Sequence, residues 1–277
     1  MQLNNTCALV VINYFSDEEV ILFLGEEIQK LANRPEKIYV VNNGSKDETR
    51  LKDFCSSHSG ILFLNANGNP GYLGGFLSAV KYILAESRVP DWIILSNSDI
   101  HFPETNFFTE FRKMNFPGNV AAIGTSIISM RTGAEQNPIY AERITLSKLK
   151  RLRFVFSSYF LYVIYQMGAA AKAKCISFFR TKKYNPDMSE VYAVHGAFVF
   201  LNAAFIKTAM DDLRDAPFLF GEELHIAEAA LKYKWKILFA PLLKVYHAEH
   251  QSFGIIKSRE HLNALKKSVD YRISRMK

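Results

Sequence analysis

The sequence of 277 residues predicts an α/β fold in which helices flank an open, mostly parallel, twisted sheet. Short apolar runs alternate with segments of helical spacing through the first half of the chain, as in βαβ units. The runs are almost continuously apolar, which is typical of strands covered on both faces. Each run ends in polar residues, and ligands of open α/β sheets bind beyond such strand ends.

The first half contains four predicted strands with helices between them. The strands are expected over residues 7–14, 37–42, 60–65 and 91–96. Helical spacing marks residues 17–33. Ser45 and Glu48 have the S-x-x-E spacing of a capping box, so a second helix is expected to open there. A loop rich in Gly and Asn over residues 66–75 leads into a third helix, expected to end near Ala85.

The second half mixes shorter strands with helices and contains no internal repeat. Strands are predicted over residues 120–128 and 236–241, and a separate short strand is expected to end at His247. Residues 195–210 have the pattern of a strand leading into a helix. Helices are then expected from Gly221 and, as a basic amphipathic segment, from about Lys257.

Cysteine usage and the first residues indicate the compartment. Cys7, Cys55 and Cys175 are odd in number and have no metal-ligand spacing, which fits a reducing compartment without a disulfide framework. The apolar run near the N-terminus follows no basic residues and is interrupted by Asn13, so it is interpreted as a first strand rather than a signal peptide. A cytoplasmic location is expected.

The formal charge of +7 comes from one interval. No acidic residue occurs between Glu142 and Asp187, and this interval holds ten basic residues: Arg143, Lys148, Lys150, Arg151, Arg153, Lys172, Lys174, Arg180, Lys182 and Lys183. The local charge indicates an anionic surface as partner. No nucleic-acid motif accompanies it, so nucleic acid is not expected.

The apolar centre of this basic stretch covers residues 154–171, about 18 residues, which is the lower limit for crossing a bilayer. Its serines, its glutamine and its many aromatic rings favour a helix lying in the membrane interface. Residues 148–184 are therefore expected to attach the protein to the inner face of the cell membrane. The alternative is a helical hairpin packed on the domain or on a second subunit of a homodimer.

Polar residues at four strand exits predict a site at one edge of the sheet. They are Asn13, Asn42 and Asn43, Asn65 to Asn67, and Asn97 to Asp99. Asp99 is the only carboxylate among them. It could hold a divalent metal together with a diphosphate, or the Asn97-Ser98-Asp99 turn could simply cap a following helix.

Six segments in sequence order resemble the family-2 inverting glycosyltransferases of the GT-A fold, most closely their rhamnosyltransferase-like bacterial members. They are "VVINYFSDE", "IYVVNNGSKDET", "NPGYLGGF", "ILSNSDIHFP", "HGAFVFLNAAF" and "FLFGEELHIAEAALKYKWKILFAPLLKVYH". The resemblance covers residues 7–128 and 190–255. It implies a single GT-A domain over 1–277, with 1–128 as the nucleotide-sugar-binding half and 190–255 as the acceptor and catalytic half. Residues 129–189 would be a basic helical insertion, and 256–277 a C-terminal helix.

The resemblance also implies the donor site. Asp99 would bind Mg²⁺ or Mn²⁺, and His247 would be a further metal or diphosphate contact, with His250 as its rival. The nucleotide-sugar would be lined by Asn13, Asn42, Asn43, Asn69, Gly74, Gly75, Asn97 and Asp99. Asn42 departs from the aspartate that is usual in the family, so recognition of the base is expected to differ.

For the reaction, the resemblance points to Glu223 as the general base, with Glu222 as second candidate. Both acids also favour the positive end of a helix, which would explain them without catalysis. His195 and Gly196 would lie on the acceptor side, and His225 replaces an aspartate of the family pattern.

The implied activity is metal-dependent, inverting transfer of a hexosyl or deoxyhexosyl group from a nucleotide-sugar to a hydroxyl of a glycan or glycolipid. The acceptor is expected to be a lipid-linked surface polysaccharide. One alternative is a nucleotidyltransferase, although "NYFSDEE" after the first strand lacks the Gly and Lys of a phosphate loop. Another is a nucleotide-sugar-binding, membrane-attached accessory protein without turnover.

Overall fold

A computed structural model describes residues 5–168, 187–216, 221–249 and 258–276. Its strands are β1 (Cys7–Tyr14), β2 (Ile38–Gly44), β3 (Ile61–Asn65), β4 (Trp92–Ser96), β5 (Ile100–His101), β6 (Val120–Ser129), β7 (Ser189–Val191), β8 (Phe198–Asn202) and β9 (Lys236–His247). Its helices are α1 (Asp17–Leu22), α2 (Glu48–Ser57), α3 (Tyr72–Leu84), α4 (Phe107–Lys113), α5 (Leu146–Val155), α6 (Ala203–Arg214), α7 (Glu222–Lys232) and α8 (Ser258–Arg275).

All nine of these strands join one sheet with the order β3-β2-β1-β4-β8-β6-β9-β5, and β7 pairs with β9. Strands β1 to β4 pair in parallel, as the alternating pattern predicted. Strand β8 is antiparallel to both β4 and β6, whereas β6 and β9 are parallel. The open α/β sheet is confirmed, with a parallel first half and a mixed second half.

Burial on both faces explains the continuous apolar runs. In β1 the side chains of Val10 and Ile12 enter one core cluster, and those of Leu9 and Val11 enter the other. Alternate residues of a strand point to opposite faces. Helices therefore cover both faces, and the polar site is confined to the edge where the strands end.

The region 17–33 is not one continuous helix. Helix α1 ends at Leu22 and continues as a π-helical turn over Phe23–Ile28. The prediction of a capping box at Ser45 and Glu48 is wrong. The N-cap of α2 is Asp47, which accepts a hydrogen bond from the Arg50 N–H at 3.0 Å. Ser45 and Glu48 bond to Asn42 instead. Asn42 accepts a hydrogen bond from Ser45 Oγ at 2.8 Å and donates one to Glu48 Oε2 at 3.0 Å.

The two short strands predicted around Pro241 are one strand, β9. Its register against β6 shifts, with Thr125 opposite Ala240 and Ser126 opposite Lys244. The irregularity accommodates Pro241, because a proline without an N–H is tolerated in a strand at a bulge. The uninterrupted strand carries His247 to the edge where β5 pairs with it.

The basic stretch divides into parts of different burial. Helix α5 packs Leu149 and Leu152 into the core, whereas the helical residues 159–168 are mostly exposed. Residues 169–184, the remainder of the predicted membrane segment, lie outside the described residues. Within the described ranges, no helix is both long and apolar enough to traverse a bilayer.

Candidate active site

Asp99 and His247 form a buried pair at the predicted edge of the sheet. Antiparallel pairing sets Ile100 opposite His247, and the backbone carbonyl of Asp99 accepts a hydrogen bond from Ala248 N–H at 3.0 Å. The distance from His247 Nε2 to Asp99 Oδ1 is 3.3 Å. Strand β9 and the turn after β4 thus bring together two residues that are far apart in sequence.

The orientation of the His247 ring is fixed by Gln136. The Gln136 amide donates from Nε2 to Glu249 Oε1 at 2.7 Å, so its Oε1 faces His247 Nδ1, 3.0 Å away. Nδ1 must therefore carry the proton and donate. In the neutral ring Nε2 then presents a lone pair to the Asp99 carboxylate. Two acceptor atoms at this distance repel each other, so the arrangement becomes favourable when a cation lies between them or when the ring carries a second proton.

A divalent cation fits this pair. Two ligands about 2.1 Å from one ion and at right angles lie about 3 Å apart, close to the observed separation. A carboxylate with an imidazole is a donor set compatible with Mn²⁺, and Mg²⁺ also uses one or two carboxylates together with phosphate oxygens. Among the described residues, no group of three or more His, Cys, Asp or Glu side chains could hold a metal. Mg²⁺ held by one or two carboxylates usually takes its other ligands from substrate phosphates and water.

Glu223 lies in the first turn of α7 and adjoins Gly196. A Cβ placed on Gly196 would lie 3.3 Å from Glu223 Oε1, so a side chain there would crowd the carboxylate. The Tyr72 hydroxyl donates to the Gly196 carbonyl at 3.1 Å. Burial raises the pKa of Tyr72 well above its usual range, and the charges of Asp99, Glu223 and Glu222 raise it further. The charges of Asp99 and of the two acids of α7 thus act on one phenol.

His195 lies between these groups. Its side-chain Nδ1 accepts a hydrogen bond from Ala197 N–H at 3.0 Å, so Nε2 carries the proton in the neutral ring. The backbone N–H of His195 donates to Asn137 Oδ1 at 2.7 Å, and the centroid of the His195 ring is 5.7 Å from that of the His247 ring. Burial lowers the pKa of His195, while the Glu223 charge opposes that shift. A neutral His195 can donate a hydrogen bond from Nε2.

The amides of Asn13 and Asn42 are used within the protein. Asn13 Nδ2 lies within hydrogen-bond distance of Asp17 Oδ1 at 2.7 Å and of Asn42 Oδ1, Gly44 O and Ser45 Oγ at 3.0 Å each. Since Asn42 also donates to Glu48, its amide has protein partners on both atoms. These residues hold the β1 and β2 exits together. Before either amide could bind a nucleotide-sugar, it would have to give up a hydrogen bond to the protein.

Asn43 connects the β2 exit to the Gly-rich loop. It donates to the Gly71 carbonyl at 2.9 Å, while Asn69 Oδ1 accepts from Gly71 N–H at 3.0 Å. A Cβ on Gly75 would lie 2.8 Å from Asn43 Oδ1, which explains the glycine. That oxygen is buried, and no donor among the described residues reaches it. Gly74 is similarly confined, because a Cβ there would lie 2.9 Å from Pro70 Cβ.

Asn97 contributes through its backbone, which donates to the Ala197 carbonyl at 2.8 Å and ties the β4 exit to Gly196. Glu222 adjoins Glu223 at the first turn of α7. His225 is buried on α7, where Nε2 lies 2.5 Å from the Asp212 carbonyl. His250, the rival metal contact, lies outside the described residues.

Several residues of the site were not found from the sequence. Tyr72 stood inside a recognised motif, whose aromatic position could have indicated it. Gln136 and Asn137 come from a non-helical loop without a motif, where Gln136 contacts the His247 ring and Asn137 accepts from the His195 backbone N–H. Tyr14 and Phe15, two consecutive aromatic rings beyond β1, are each 38% exposed with centroids 4.7 Å apart.

Solved structures of similar fold include two glycosyltransferases. The mannosyltransferase PcManGT from Pyrobaculum calidifontis, in complex with GDP-Man and Mn²⁺, has a TM-score of 0.56 at 12% identity, over 90% of this chain and 59% of that one. GalNAc-T7 with UDP, GalNAc and Mn²⁺ has a TM-score of 0.59 at 10% identity, over 96% and 48%. A mycobacterial protein has a TM-score of 0.52 at 12% identity, over 98% and 74%.

The present chain therefore spans only 59% and 48% of the first two proteins. No protein-family model matches the sequence, and no curated protein matches it significantly. At these identities the likeness concerns the fold alone. Taken with the sheet order and the edge site, it confirms the predicted architecture: the chain has the GT-A fold.

Proposed function

We propose that this protein is a metal-dependent, inverting glycosyltransferase that uses a nucleotide-sugar donor. One observation carries the proposal: Asp99, which faces His247, and Glu223, which adjoins Gly196, both lie near enough to the Tyr72 phenol for their charges to raise its pKa. The structures of similar fold that contain GDP-Man or UDP together with Mn²⁺ support this assignment. Glycosyl transfer from a nucleotide-sugar requires a positive charge for the departing diphosphate and a base for the acceptor hydroxyl, and a cation site near a carboxylate provides both.

In this mechanism Asp99 and His247 would hold the cation, and Gln136 fixes the His247 ring through its contact with Nδ1. Bound Mg²⁺ or Mn²⁺ would supply neutralisation of the charge that develops on the diphosphate. Glu223 accepts the proton of the attacking acceptor hydroxyl. The Tyr72 hydroxyl is engaged with the Gly196 carbonyl and keeps that backbone beside Glu223. Neutral His195 offers its Nε2–H to an oxygen of the donor or acceptor.

The donor base would lie at the β1 and β2 exits. The exposed rings of Tyr14 and Phe15 offer stacking surface there, and Asn43 Oδ1 offers a buried acceptor. Gly75 allows the loop backbone to pass close to Asn43. The sugar transferred is a hexosyl or deoxyhexosyl group.

The acceptor proposed is a lipid-linked surface polysaccharide, met at the inner face of the cell membrane through residues 148–184. The described part of this segment presents large apolar side chains to solvent: Phe154, Tyr159, Phe160, Val163, Ile164, Tyr165 and Met167. Basic residues of α5 precede them and no acidic residue accompanies them. Such a surface matches an interfacial helix on anionic lipid better than a second copy of the same positively charged segment.

Donor binding is tested by thermal denaturation with a panel of nucleotide-sugars, each with and without Mn²⁺ or Mg²⁺. We expect one nucleotide class to raise the melting temperature only with metal, and Asp99→Ala to abolish that rise. Asp211→Ala is the matched control, because the Asp211 side chain is 98% exposed. Stabilisation that ignores the metal, or that persists in Asp99→Ala, would refute the assignment. Product analysis with the selected donor then reports the anomeric outcome.

Membrane attachment is tested by flotation with vesicles of phosphatidylcholine, with and without phosphatidylglycerol. Phe160→Glu and Ile164→Glu should each reduce flotation with the anionic vesicles. Leu22→Glu is the control, since Leu22 is 52% exposed on α1, in a different part of the chain. Equal flotation of all variants would exclude this surface. Dissociation of a dimer by Phe160→Glu, seen by light scattering, would favour the homodimer instead.

A further inference from the structure

A glutamate just beyond the end of β9 belongs to a chain of hydrogen bonds that leads to His247. Glu249 Oε2 accepts from Arg131 Nε at 3.0 Å, and Glu249 Oε1 accepts from Gln136 Nε2 at 2.7 Å. Gln136 Oε1 in turn lies 3.0 Å from His247 Nδ1. The chain therefore runs from an exposed arginine through two side chains to the candidate metal ligand.

The backbone on both sides of this chain is held in place. The Met130 N–H donates to the His247 carbonyl at 2.9 Å, which ties the loop after β6 to the end of β9. Glu249 has a φ of 59°. This left-handed conformation is unfavourable for a residue with a side chain, persists only where surrounding contacts determine it, and is concentrated at functional sites.

The direction of each hydrogen bond in the chain is set by the groups at its far end. A guanidinium can only donate, and a carboxylate that is ionised at neutral pH can only accept. The Gln136 amide must therefore turn its NH₂ group towards Glu249 and its oxygen towards His247. That oxygen requires a proton on Nδ1, which leaves the lone pair on Nε2, 3.3 Å from Asp99 Oδ1.

An amide in place of the Glu249 carboxylate would reverse these directions. Arg131 would donate to the single amide oxygen, so the new NH₂ group would face Gln136, whose own amide would turn over. The Gln136 NH₂ group would then donate to His247 Nδ1, and Nε2 would carry the proton and donate it to Asp99. This tautomer satisfies both side chains without a cation and has no lone pair for one.

We propose that Glu249 is a positioning residue that selects the metal-binding tautomer of His247 through Gln136. The inference rests on the proposed function, because it takes the Asp99–His247 pair as a cation site. The tautomer is nevertheless a property of the chain without metal, so it can be measured separately. If Glu249 had a purely structural role, its replacement would leave the proton of His247 on Nδ1.

The first measurement is the ¹⁵N spectrum of the histidine rings in the metal-free, full-length protein, at a pH where the rings are neutral. The chemical shift distinguishes a protonated ring nitrogen from an unprotonated one, and the signals of His247 are assigned by their absence from His247→Gln. Wild type should carry the proton on Nδ1, and Glu249→Gln should carry it on Nε2. Glu190→Gln is the matched control, because Glu190 is an exposed glutamate that pairs with Lys236 at the start of β9.

The second measurement is the Mn²⁺ concentration that gives half of the rise in melting temperature with the nucleotide-sugar selected by thermal denaturation. Glu249→Gln should require about tenfold more Mn²⁺ or a still higher concentration, as expected when an outer partner of a metal ligand is lost. Glu190→Gln should require the same concentration as wild type.

A double variant provides the rescue. Gln136→Glu combined with Glu249→Gln keeps the net charge and exchanges the two groups. The carboxylate at position 136 can only accept, so the proton of His247 should return to Nδ1. The Mn²⁺ requirement should return towards that of wild type.

A proton that stays on Nδ1 in Glu249→Gln, or that the double variant does not restore, would overturn the proposal. An unchanged Mn²⁺ requirement beside a changed tautomer would also overturn it, because His247 would then not bind the ion. The expected tautomers in a protein that shows no metal-dependent stabilisation would refute the proposed function, while confirming that Glu249 selects the tautomer. The two failures are therefore distinguishable.

Discussion

Two parts of the same sheet edge use polar side chains in opposite ways. At the β1 and β2 exits, Asn13 and Asn42 direct their amides at protein partners, and these contacts close the two loops onto each other. At the β4 and β9 ends, His247 Nε2 and Asp99 Oδ1 are two acceptor atoms that face each other. The first arrangement is complete without a ligand, whereas the second is favourable with a cation or an added proton.

The comparison shows that a polar residue at a strand exit has two uses. Asparagine carries a donor and an acceptor, so it can satisfy neighbouring loops on both sides. Between His247 and Asp99, by contrast, a positive charge is favourable, because an imidazole lone pair and a carboxylate oxygen both attract it. We therefore expect the β4 and β9 ends, rather than the β1 and β2 exits, to bind a cation.

The largest expected effect is that of Glu223→Gln. If Glu223 is the base, as proposed, its removal should lower the turnover rate by about 10²- to 10⁴-fold, because general-base catalysis contributes that much. Metal-dependent binding of the nucleotide should be unchanged. The measurement is the initial rate of sugar transfer with the donor selected in the thermal panel. Glu222→Gln is the matched control, and equal losses in the two variants would contradict the assignment of Glu223.

The next effect concerns the metal side. Gln136→Leu removes the acceptor that orients His247, and loss of such an outer partner lowers metal affinity by about 10- to 100-fold. Titration of Mn²⁺ in the presence of nucleoside diphosphate measures the change. Gln29→Leu, an exposed glutamine far along the chain, serves as control. An unaltered Mn²⁺ affinity in Gln136→Leu would show that His247 does not bind the ion.

At the other end of the edge the expected effect is on stability. Asp17 accepts from Asn13 at 2.7 Å and from the N–H groups of Lys46 and Asp47 at 2.7 and 3.1 Å. In Asp17→Asn the new NH₂ group would face one of these N–H donors. Urea denaturation should therefore show a free energy of unfolding lower by about 2 kcal/mol. Metal-dependent nucleotide binding should survive. Asp211→Asn, at an exposed position, should change neither quantity.

The pH dependence of that stability follows from the same contacts. Burial would raise the pKa of Asp17, but hydrogen bonds from Ser45, the Asp47 and Lys46 N–H groups and Asn13 outweigh it and lower the pKa from its ordinary value of 3.8. The stabilisation is therefore present above pH 3.8 and is lost as the pH falls through the folded-state pKa. The Asp17→Asn curve should be flatter in this acidic window, and parallel curves would contradict the assignment.

The smallest effect should come from Asn42→Asp, which restores the residue of the family pattern. A carboxylate there would face Glu48 Oε2, now 3.0 Å from Asn42 Nδ2. Because Glu48 is exposed, the repulsion should cost about 1 kcal/mol. Denaturant unfolding of Asn42→Asp, Glu48→Gln and the double variant measures the coupling. A fully additive double variant would show that the two side chains do not interact.

The sequence predicted the strands well because their signal is physical and local. Residues 7–14 are apolar since both faces of β1 are covered. The contact between Asp99 and His247 could be anticipated only through the family resemblance, because it depends on the pairing of β5 with β9. Gln136 could not be anticipated, since its contact with His247 arises from the placement of a loop that no local pattern encodes. The capping box failed because Asn42 competed for the same two partners.

Strand β9 runs without interruption to His247, so the number of residues between Glu223 and His247 determines where the imidazole points. Glu223 lies in the first turn of α7, β9 starts at Lys236 soon after that helix ends, and the strand finishes at His247. Because alternate positions of a strand point to opposite faces, losing one residue between Pro241 and His247 would turn the imidazole away from Asp99. Natural variation in chain length should therefore be excluded from this strand, while loops elsewhere on the surface tolerate indels.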